Sequence, residues 1–372
     1  MKRDEISGLI RQMQIESLEL KNFRNYEKES FVFDPGTNIL YGDNAQGKTN
    51  VLEALEVCAT TRTHRGKHES EVIRFGEEDA HLRLFFRKKN ISRKIDIHIR
   101  RSDKKGAALD GVPVRKAADI YGQIHIVSFF PEDLGMIKNS PKERRRFLDS
   151  QLCQLNSGYV LQLTEYNKII RQRNALLKDV RYGDQIDAVL DIWDEKMISC
   201  GSFVIRQREE FLKKLNVLVK EIHEEITDGK EDMQLVYEPD SSADLLKDKI
   251  LKNREKDLRW KQSTAGPHKD DFKVEVNGMD LRQYGSQGQQ RSAALSIKIA
   301  EIALVREQTG DDPILLLDDV LSELDSRRQK KLLQCIEKTQ TFLTCTGMDE
   351  LIGHSFRVDK AFHIREGHIT GS

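Results

Sequence analysis

The 372-residue chain has few of the features that would place it in a membrane or link it covalently. Its apolar runs stay well short of the about 18 residues that a membrane-spanning helix needs, and its polar N-terminus is unlike a secretory signal peptide. The five cysteines form no C-x-x-C pair, so the sequence indicates neither a disulfide framework nor a zinc site; they are Cys58, Cys153, Cys200, Cys335 and Cys345. These absences predict a protein of the reducing cytoplasm that has no membrane partner.

A surplus of charge of either sign is missing as well, because 61 Lys and Arg residues balance 61 Asp and Glu residues. This balance excludes a protein coated in positive charge, and any nucleic-acid binding must come from a local basic patch. With 38% apolar and 33% charged residues, the chain can build a hydrophobic core beneath a densely charged surface. Its length predicts about two domains.

The most informative stretch of the sequence runs from Thr37 to Ala59. The pattern predicts a strand that ends at Tyr41 and a helix with a buried apolar stripe after Thr49. The loop between them fills every fixed position of the pattern G-x-x-x-x-G-K-[ST], with the residues Gly42, Asp43, Asn44, Ala45, Gln46, Gly47, Lys48 and Thr49. Strand, glycine loop and helix follow one another in the order that a phosphate-binding loop requires.

This loop has a clear chemical interpretation. Gly42 and Gly47 let the backbone curl until its N–H groups point at phosphate oxygens, and the start of the helix adds its dipole at the same place. Lys48 then places a positive charge between the β- and γ-phosphates, and Thr49 offers a hydroxyl to Mg²⁺. A glycine-rich turn with a chance lysine is the alternative. The sequence therefore favours ATP with Mg²⁺ as the ligand.

A continuous apolar run from residue 313 to residue 317 ends in Asp318 and Asp319. A run without alternation predicts a strand buried on both faces, and ligands bind at the carboxyl ends of such strands. We expect Asp318 to hold Mg²⁺, directly or through water, and Asp319 to accept a proton from the attacking water. With Lys48, these two aspartates are the candidate catalytic residues.

A second helix start lies at Ser286. Ser286 and Gln289 have the spacing of a capping box, and Gly288 opens the first turn of the predicted helix. The simple interpretation is a cap, which any helix needs. The other is a second anion-binding site that contacts the free face of a γ-phosphate.

Two basic segments are candidates for contact with an anion. The loop that follows the first helix carries Arg62, Arg65 and Lys67. A second capping box, at Ser140 with proline next, predicts the start of a helix whose first turns carry Arg144, Arg145 and Arg146. Each segment could instead be a solvated surface whose arginines pair with neighbouring carboxylates, and both possibilities stay open.

The remaining periodicity predicts the domain organisation. Strands are expected near residues 18–33, in a hairpin at 81–99 and again from 265 onward, whereas residues 151–258 are expected to be nearly all helical. We therefore predict an α/β fold with a mixed sheet and an antiparallel β subdomain, built from residues 13–150 and 259–372. An α-helical lobe of residues 151–258 is inserted into it, and residues 1–12 form an N-terminal extension.

These motifs together resemble an ABC-type ATPase head of the branch that includes SMC and Rad50 proteins. They are the loop ending at Thr49-Asn50, the signature Ser286-Gln287-Gly288-Gln289-Gln290, the strand ending at Asp318-Asp319 and the segment Ser322-Glu323-Leu324-Asp325. The long coiled-coil arms of that branch are missing. Five longer segments resemble the RecF family from Met13 to about Ile369: LKNFRNY, which contains Arg24, and FPEDL, RRRFLD, GPHKDD and LDDVLSELD.

The resemblance implies a dimer that ATP holds together. Two copies would face head to tail, with Ser286 and Gly288 of one copy touching the γ-phosphate that Lys48 of the other binds, and with Asp325 at the seam. Nucleotide contacts are also implied for Arg24, Asn50 and Gln289, and more weakly for Arg65 and Gln123. Hydrolysis would remove the charge that the signature reads and open the dimer.

The resemblance also implies a role in recombinational DNA repair. The family binds gapped or junction DNA and acts with RecR and RecO to load RecA, and the best DNA contacts here are Arg62, Arg65, Lys67, Arg144, Arg145 and Arg146. Asp319 stands where transporter relatives have Glu, and no His occurs at residues 344–346, so we expect a weak ATPase with slow turnover. The resemblance implies that DNA stimulates this ATPase. A short Rad50-like or SMC-like ATPase and a transporter ATPase subunit are the alternatives.

Overall fold

We describe a computed structural model of the chain that covers residues 13–63, 65, 69–102, 105–179, 186–321, 324–336, 339–347 and 357–371. Its contacts divide the chain into unit 1, which comprises residues 1–133 and 298–372, and unit 2, which comprises residues 134–297. The boundaries predicted at 150/151 and 258/259 stay predictions. Lys67, Ser322, Glu323 and the predicted extension of residues 1–12 lie outside the described residues.

From Met13 to residue 178, the elements are mainly strands up to β8 and helices after it. They are β1 (Met13–Phe23), β2 (Tyr26–Val32), β3 (Thr37–Tyr41), α1 (Lys48–Thr60), β4 (Asp79–Lys88), β5 (Ile91–Arg100), β6 (Gly106–Leu109), β7 (Val112–Pro113), β8 (Ile126–Phe129), α2 (Gly135–Lys138), α3 (Pro141–Leu155) and α4 (Ser157–Lys178).

The second half begins with a long helix and returns to strands. It contains α5 (Ile186–Thr227), β9 (Met233–Glu238), α6 (Leu246–Lys252), α7 (Arg254–Trp260), β10 (Asp271–Val276), β11 (Met279–Asp280), α8 (Leu281–Tyr284), α9 (Gln287–Thr309), β12 (Ile314–Asp318), α10 (Ser326–Ile336), β13 (Thr341–Cys345), β14 (Lys360–Arg365) and β15 (His368–Gly371).

Unit 1 contains an antiparallel sheet with the strand order β2-β1-β4-β5-β6-β7. The hairpin predicted at residues 81–99 is confirmed as β4 and β5, which pair over their whole length. Side chains on one face of β4 are buried because apolar residues alternate with polar ones, as at Leu82, Leu84 and Phe86. This face forms part of the hydrophobic core of the unit.

The second sheet of unit 1 has the order β15-β14-β3-β13-β12-β8 and places the candidate site. Strands β14, β3, β13, β12 and β8 run parallel to one another, while β15 is antiparallel to β14. Every residue of β12 is buried, as its unbroken apolar run predicts. Strand β13 lies between β3 and β12, and all three are parallel. The phosphate loop after β3 and Asp318 at the end of β12 therefore lie at the same edge of the sheet, one on each side of β13.

Unit 2 consists mostly of helices. Helix α3 begins at Pro141 as predicted, although the side chain of Ser140 makes no capping hydrogen bond. The prediction that residues 151–258 are nearly all helical is wrong at β9, which pairs with β10 along its length. The reason is tertiary, since β10 supplies hydrogen-bond partners that neighbouring residues in the sequence cannot. Among the described residues, no helix combines the length and hydropathy of a membrane span.

Candidate nucleotide-binding site

The phosphate loop between β3 and α1 has a backbone that only glycine tolerates at two points. Gly42 and Gly47 have φ angles of 143° and 115°. A Cβ atom on Gly42 would lie 2.4 Å from the carbonyl oxygen of Ile364, and one on Gly47 would lie 2.6 Å from Nδ2 of Asn25. The two glycines therefore provide both the left-handed turn and the space for close packing.

The turn after β1 braces this loop. Asn25 donates from Nδ2 to the carbonyl of Gln46 at 2.8 Å and accepts at Oδ1 from Nδ2 of Asn50 at 2.8 Å. The hydroxyl of Tyr26 donates to the carbonyl of Gly47 at 3.1 Å. This role could not be predicted from the sequence, because Asn25 and Tyr26 reach the loop only once the strands are folded.

The hairpin at the other end of the chain holds the same loop from a second side. The backbone N–H of Glu366 donates to Oε1 of Gln46 at 2.7 Å, and the backbone N–H of Gly367 donates to the carbonyl oxygen of Gln46 at 3.0 Å. The loop is therefore fixed before any ligand binds, which lowers the entropic cost of gripping a phosphate.

Lys48 points back over the loop that precedes it. Its ammonium donates to the carbonyls of Gly42 and Asp43 at 2.5 and 2.8 Å. Burial lowers the pKa of this ammonium, whereas the nearby Cys345, Asp319, Asp318 and Asp43 oppose that shift. An ammonium carries three donors, so one remains for a phosphate oxygen beyond the two loop carbonyls.

An oxygen cluster suited to Mg²⁺ lies beside Lys48. The hydroxyl of Thr49 donates to Oδ1 of Asp318 at 2.9 Å, and that of Thr344 donates to the same oxygen at 2.7 Å. In the described residues, no group of three His, Cys, Asp or Glu side chains could hold a metal by itself. Mg²⁺ needs only one or two protein oxygens when phosphates and water complete its shell, so Thr49 and Asp318 fit this ion.

Asp319 follows directly after the end of β12. Its φ angle of 51° lies in the left-handed region, and its N–H donates to the hydroxyl of Thr344 at 3.0 Å. Thr344 thus holds both aspartates, a role that the sequence analysis missed when it noted only the absence of His at residues 344–346. The contact arises from the strand register, in which Asp318 and Thr344 are paired.

These side chains line a cavity of about 280 Å³. Its walls bring together the predicted catalytic residues Lys48, Asp318 and Asp319, and its lining comprises Asn44, Ala45, Gln46, Gly47, Lys48, Thr49, Asn50, Arg65, Pro131, Asp318, Asp319, Thr344, Cys345 and Thr346. Arg65 therefore lies on the nucleotide side, where its guanidinium is 3.9 Å from the carboxylate of Glu132.

Two predicted nucleotide contacts lie elsewhere among the described residues of unit 1. Arg24 donates to both carboxylate oxygens of the buried Glu53, at 2.9 and 2.7 Å, and to the carbonyl of Glu71 at 3.0 Å. Gln123 accepts from the guanidinium of Arg93 at 2.7 Å. Neither side chain lines the cavity, so their contact with nucleotide stays a prediction.

The signature segment of unit 2 has the cap that its spacing predicts. The N–H of Ser286 donates to Oε1 of Gln289 at 3.0 Å, and the N–H of Gln289 donates to Oγ of Ser286 at 3.2 Å. This reciprocal pair confirms the capping box. Ser286 and Gly288 are exposed, so the start of α9 is accessible to an anion.

The three consecutive arginines of α3 have different environments. Arg144 is 3% exposed and donates to both oxygens of Asp271, at 2.6 and 2.8 Å, and to two backbone carbonyls. Arg144 therefore stabilises the packing within unit 2, and we no longer count it among the predicted DNA contacts. Arg145 is half-buried and donates to the carbonyl of Asp270, while Arg146 and Arg62 are exposed.

Asp325 lies at the start of α10. Its carboxylate accepts from the N–H of Arg328 at 3.0 Å and pairs with that guanidinium at 2.8 Å. The side chain is 57% exposed, which leaves it accessible to a partner. Its place at a dimer seam stays a prediction.

Comparison with known proteins gives a consistent result. Residues 14–369 match the family model described as RecF/RecN/SMC N terminal domain. The DNA replication and repair protein RecF of Agathobacter rectalis is 48% identical over 357 residues, which cover 96% of this chain and 99% of that protein.

Solved structures are similar over nearly the whole chain. A structure of the recombination mediator protein RecF-ATP in the RecFOR pathway has a TM-score of 0.89 and 34% identity, and covers 96% of this chain and 97% of that one. The Smc head domain with an extended coiled coil from Pyrococcus furiosus covers 96% and 95% at 17% identity, and its TM-score of 0.53 shows likeness of fold alone. The predicted fold class, an ABC-type ATPase head, is confirmed. The chain belongs to the RecF family.

Proposed function

We propose that this protein is an ATPase of DNA replication and recombinational repair that binds ATP and Mg²⁺ in the cavity beside Lys48. One observation carries the proposal: Lys48, Thr49, Asp318 and Asp319 meet at one edge of a parallel sheet, next to a rigid phosphate loop. The names of the relatives and of the similar ATP-containing structure agree with it. Nothing in this site favours a transporter subunit or a Rad50-like protein.

Each residue of the site has a defined task in the proposed reaction. The loop N–H groups and Lys48 bind the phosphates, and Thr49 with Asp318 would hold Mg²⁺, which would neutralise charge on the phosphate oxygens. Asp319 accepts a proton from the attacking water. The hydrogen bond from its N–H to Thr344 fixes its backbone, and the short side chain of Asp319 supports slow turnover.

The proposed gate is a head-to-tail dimer in which the exposed start of α9 contacts the γ-phosphate bound by a second copy. Ser286 and Gly288 provide a helix N-terminus with a fixed cap, which favours a dianionic ligand. Asp325 lies at the seam. Hydrolysis removes the charge that this helix start attracts, so ADP favours separate copies.

The dimer binds DNA in the cytoplasm and acts with RecR and RecO to promote loading of RecA. A local basic surface is needed because the chain has no net positive charge. The exposed Arg62 and Arg146, the half-buried Arg145, and Lys67 are the proposed contacts, and DNA binding stimulates hydrolysis. Arg65 is assigned to the nucleotide because it lines the cavity.

Sedimentation with and without ATP tests the proposal. Lys48→Ala should abolish both ATP binding and ATP-dependent dimers, whereas Ser286→Arg should keep ATP binding to the single copy and lose the dimer. Lys28→Ala, which removes an exposed lysine from β2, is the matched control and should behave as the wild type. Dimers of Lys48→Ala that form normally with ATP would contradict the role of the phosphate loop.

A further inference from the structure

A hydrogen-bonded network of polar side chains in unit 2 supports the start of α9 from its inner side. Gln289 donates from Nε2 to Oε1 of Glu231 at 3.0 Å. Oε2 of Glu231 lies 3.1 Å from Nε2 of His223, and Nδ1 of His223 lies 2.9 Å from Oγ of Ser296. This network therefore begins at the signature segment and returns to the same helix two turns later, at Ser296.

The geometry of α9 makes this arrangement possible. Gln289, Ser292 and Ser296 have the spacing i, i+3, i+7, which places them on one face of the helix. Ser292 and Ser296 are 3% and 0% exposed, and their small side chains leave room for the imidazole. His223 belongs to the last turns of α5, and Glu231 to the loop between α5 and β9.

The hydrogen bonds define which groups pair in this network. The single hydroxyl hydrogen of Ser296 is donated to the carbonyl of Ser292 at 2.8 Å, so its oxygen accepts from Nδ1 of His223. Nε2 of His223 and Oε2 of Glu231 share one proton across 3.1 Å. The His223 and Glu231 side chains, which are 0% and 19% exposed, therefore form one buried hydrogen-bonded pair.

The carboxyl group of Glu231 determines the orientation of the Gln289 amide. Nε2 faces an acceptor, the carboxylate of Glu231, while Oε1 faces a donor, the N–H of Ser286. A flipped amide would set donor against donor and acceptor against acceptor.

We propose that Glu231 and His223 are positioning residues for the signature segment: they hold the Gln289 amide so that Ser286 and the first turn of α9 are preformed for the phosphate bound by a second copy. This inference rests on the proposed ATP-dependent dimer. It assigns a role in that dimer to the helical lobe through the end of α5. Neither residue lines the nucleotide cavity beside Lys48.

Variants of Glu231 test the inference by sedimentation of the full chain with ATP. Glu231→Ala should weaken ATP-dependent association by about tenfold or more, since a hydrogen bond to a charged group is lost at both signature segments of each dimer. Binding of a fluorescent ATP analogue to the single copy should be unchanged. Glu231→Gln should restore association, because its oxygen can accept from Gln289 while its amide donates to a neutral His223.

Two comparisons separate this role from general stability. Asp232→Ala is the matched control, because the neighbouring carboxylate pairs with the exposed Lys220 at 3.1 Å and should be dispensable. The double variant Glu231→Ala/Gln289→Ala should lose no more association than Gln289→Ala alone. If Glu231→Ala does not fold, as judged by circular dichroism, Glu231→Asp takes its place.

The outcomes distinguish this inference from the proposed function. If the wild type associates with ATP and Glu231→Ala associates equally well, the positioning role is wrong and the proposed function stands. The positioning role is also wrong if the double variant loses association by the product of the two single-variant losses. If the wild type stays single at all ATP concentrations, the ATP-dependent dimer is wrong and this inference falls with it.

Discussion

Thr344→Val tests the support of the catalytic aspartates directly. The hydroxyl of Thr344 donates to Oδ1 of Asp318 at 2.7 Å and accepts from the N–H of Asp319 at 3.0 Å. Valine has nearly the same shape, so the substitution removes both hydrogen bonds without creating a cavity. The residue is 2% exposed, so little of its side chain can be reached by water from the cavity that it lines.

The magnitude follows from the two bonds. Loss of a hydrogen bond to a charged carboxylate costs about 2 kcal/mol, and leaving a buried N–H unpaired costs about 1–3 kcal/mol. Asp318 keeps its bond from Thr49, so we expect the free energy of unfolding to fall by about 3 kcal/mol. Displaced carboxylates should also lower kcat for ATP hydrolysis by about ten- to a hundredfold.

The assay combines urea unfolding with ATP turnover and ATP binding. The affinity for ATP should change little, because Lys48 and the loop N–H groups remain in place. Thr344→Ser keeps the hydroxyl and should retain most of the activity. A Thr344→Val protein that is as stable and as active as the wild type would refute this account of the aspartates.

Three further predictions concern the loop, pH and the basic residues. Gly42→Ala should abolish ATP binding in calorimetry, since its Cβ would lie 2.4 Å from the carbonyl oxygen of Ile364; normal binding would contradict the strained loop. Burial lowers the pKa of His125 to about 4 from its usual 6.5, so the unfolded chain takes up the proton first and stability falls as pH drops from 6.5 towards 4, by up to about 3 kcal/mol. His125→Leu should flatten that decline in urea unfolding, and an unchanged decline would argue against it. Arg146→Glu should weaken DNA binding by about tenfold in anisotropy measurements at low salt without loss of stability, whereas Arg144→Met should destabilise the fold; the reverse pattern would exchange their assigned roles.

Local patterns allowed several elements to be predicted from the sequence. The loop from Gly42 to Thr49 and the cap at Ser286 and Gln289 each depend on residues within eight positions of one another. The hairpin of β4 and β5 likewise joins neighbours in the sequence, and its alternation is visible without knowledge of the rest. Fold class followed because these local elements occur in the order of a known architecture.

Contacts between distant residues could not be predicted in this way. Thr344 meets Asp318 only because β13 lies beside β12, and β9 is a strand only because β10 pairs with it. The run of three arginines gave no sign that Arg144 would be buried, since Asp271 is 127 residues away. The same holds for Glu231, which lies 58 residues from Gln289.

Mixing two inactive variants tests the shared grip on ATP most directly. Lys48→Ala and Ser286→Arg homodimers would each have a defect in both composite sites, whereas a mixed dimer would combine the intact phosphate loop of one copy with the intact signature of the other. Sedimentation with ATP should therefore show dimers in the mixture and single copies in each variant alone. A mixture that shows no dimers would contradict a site built by two copies. Dimers formed by Ser286→Arg alone would contradict it as well.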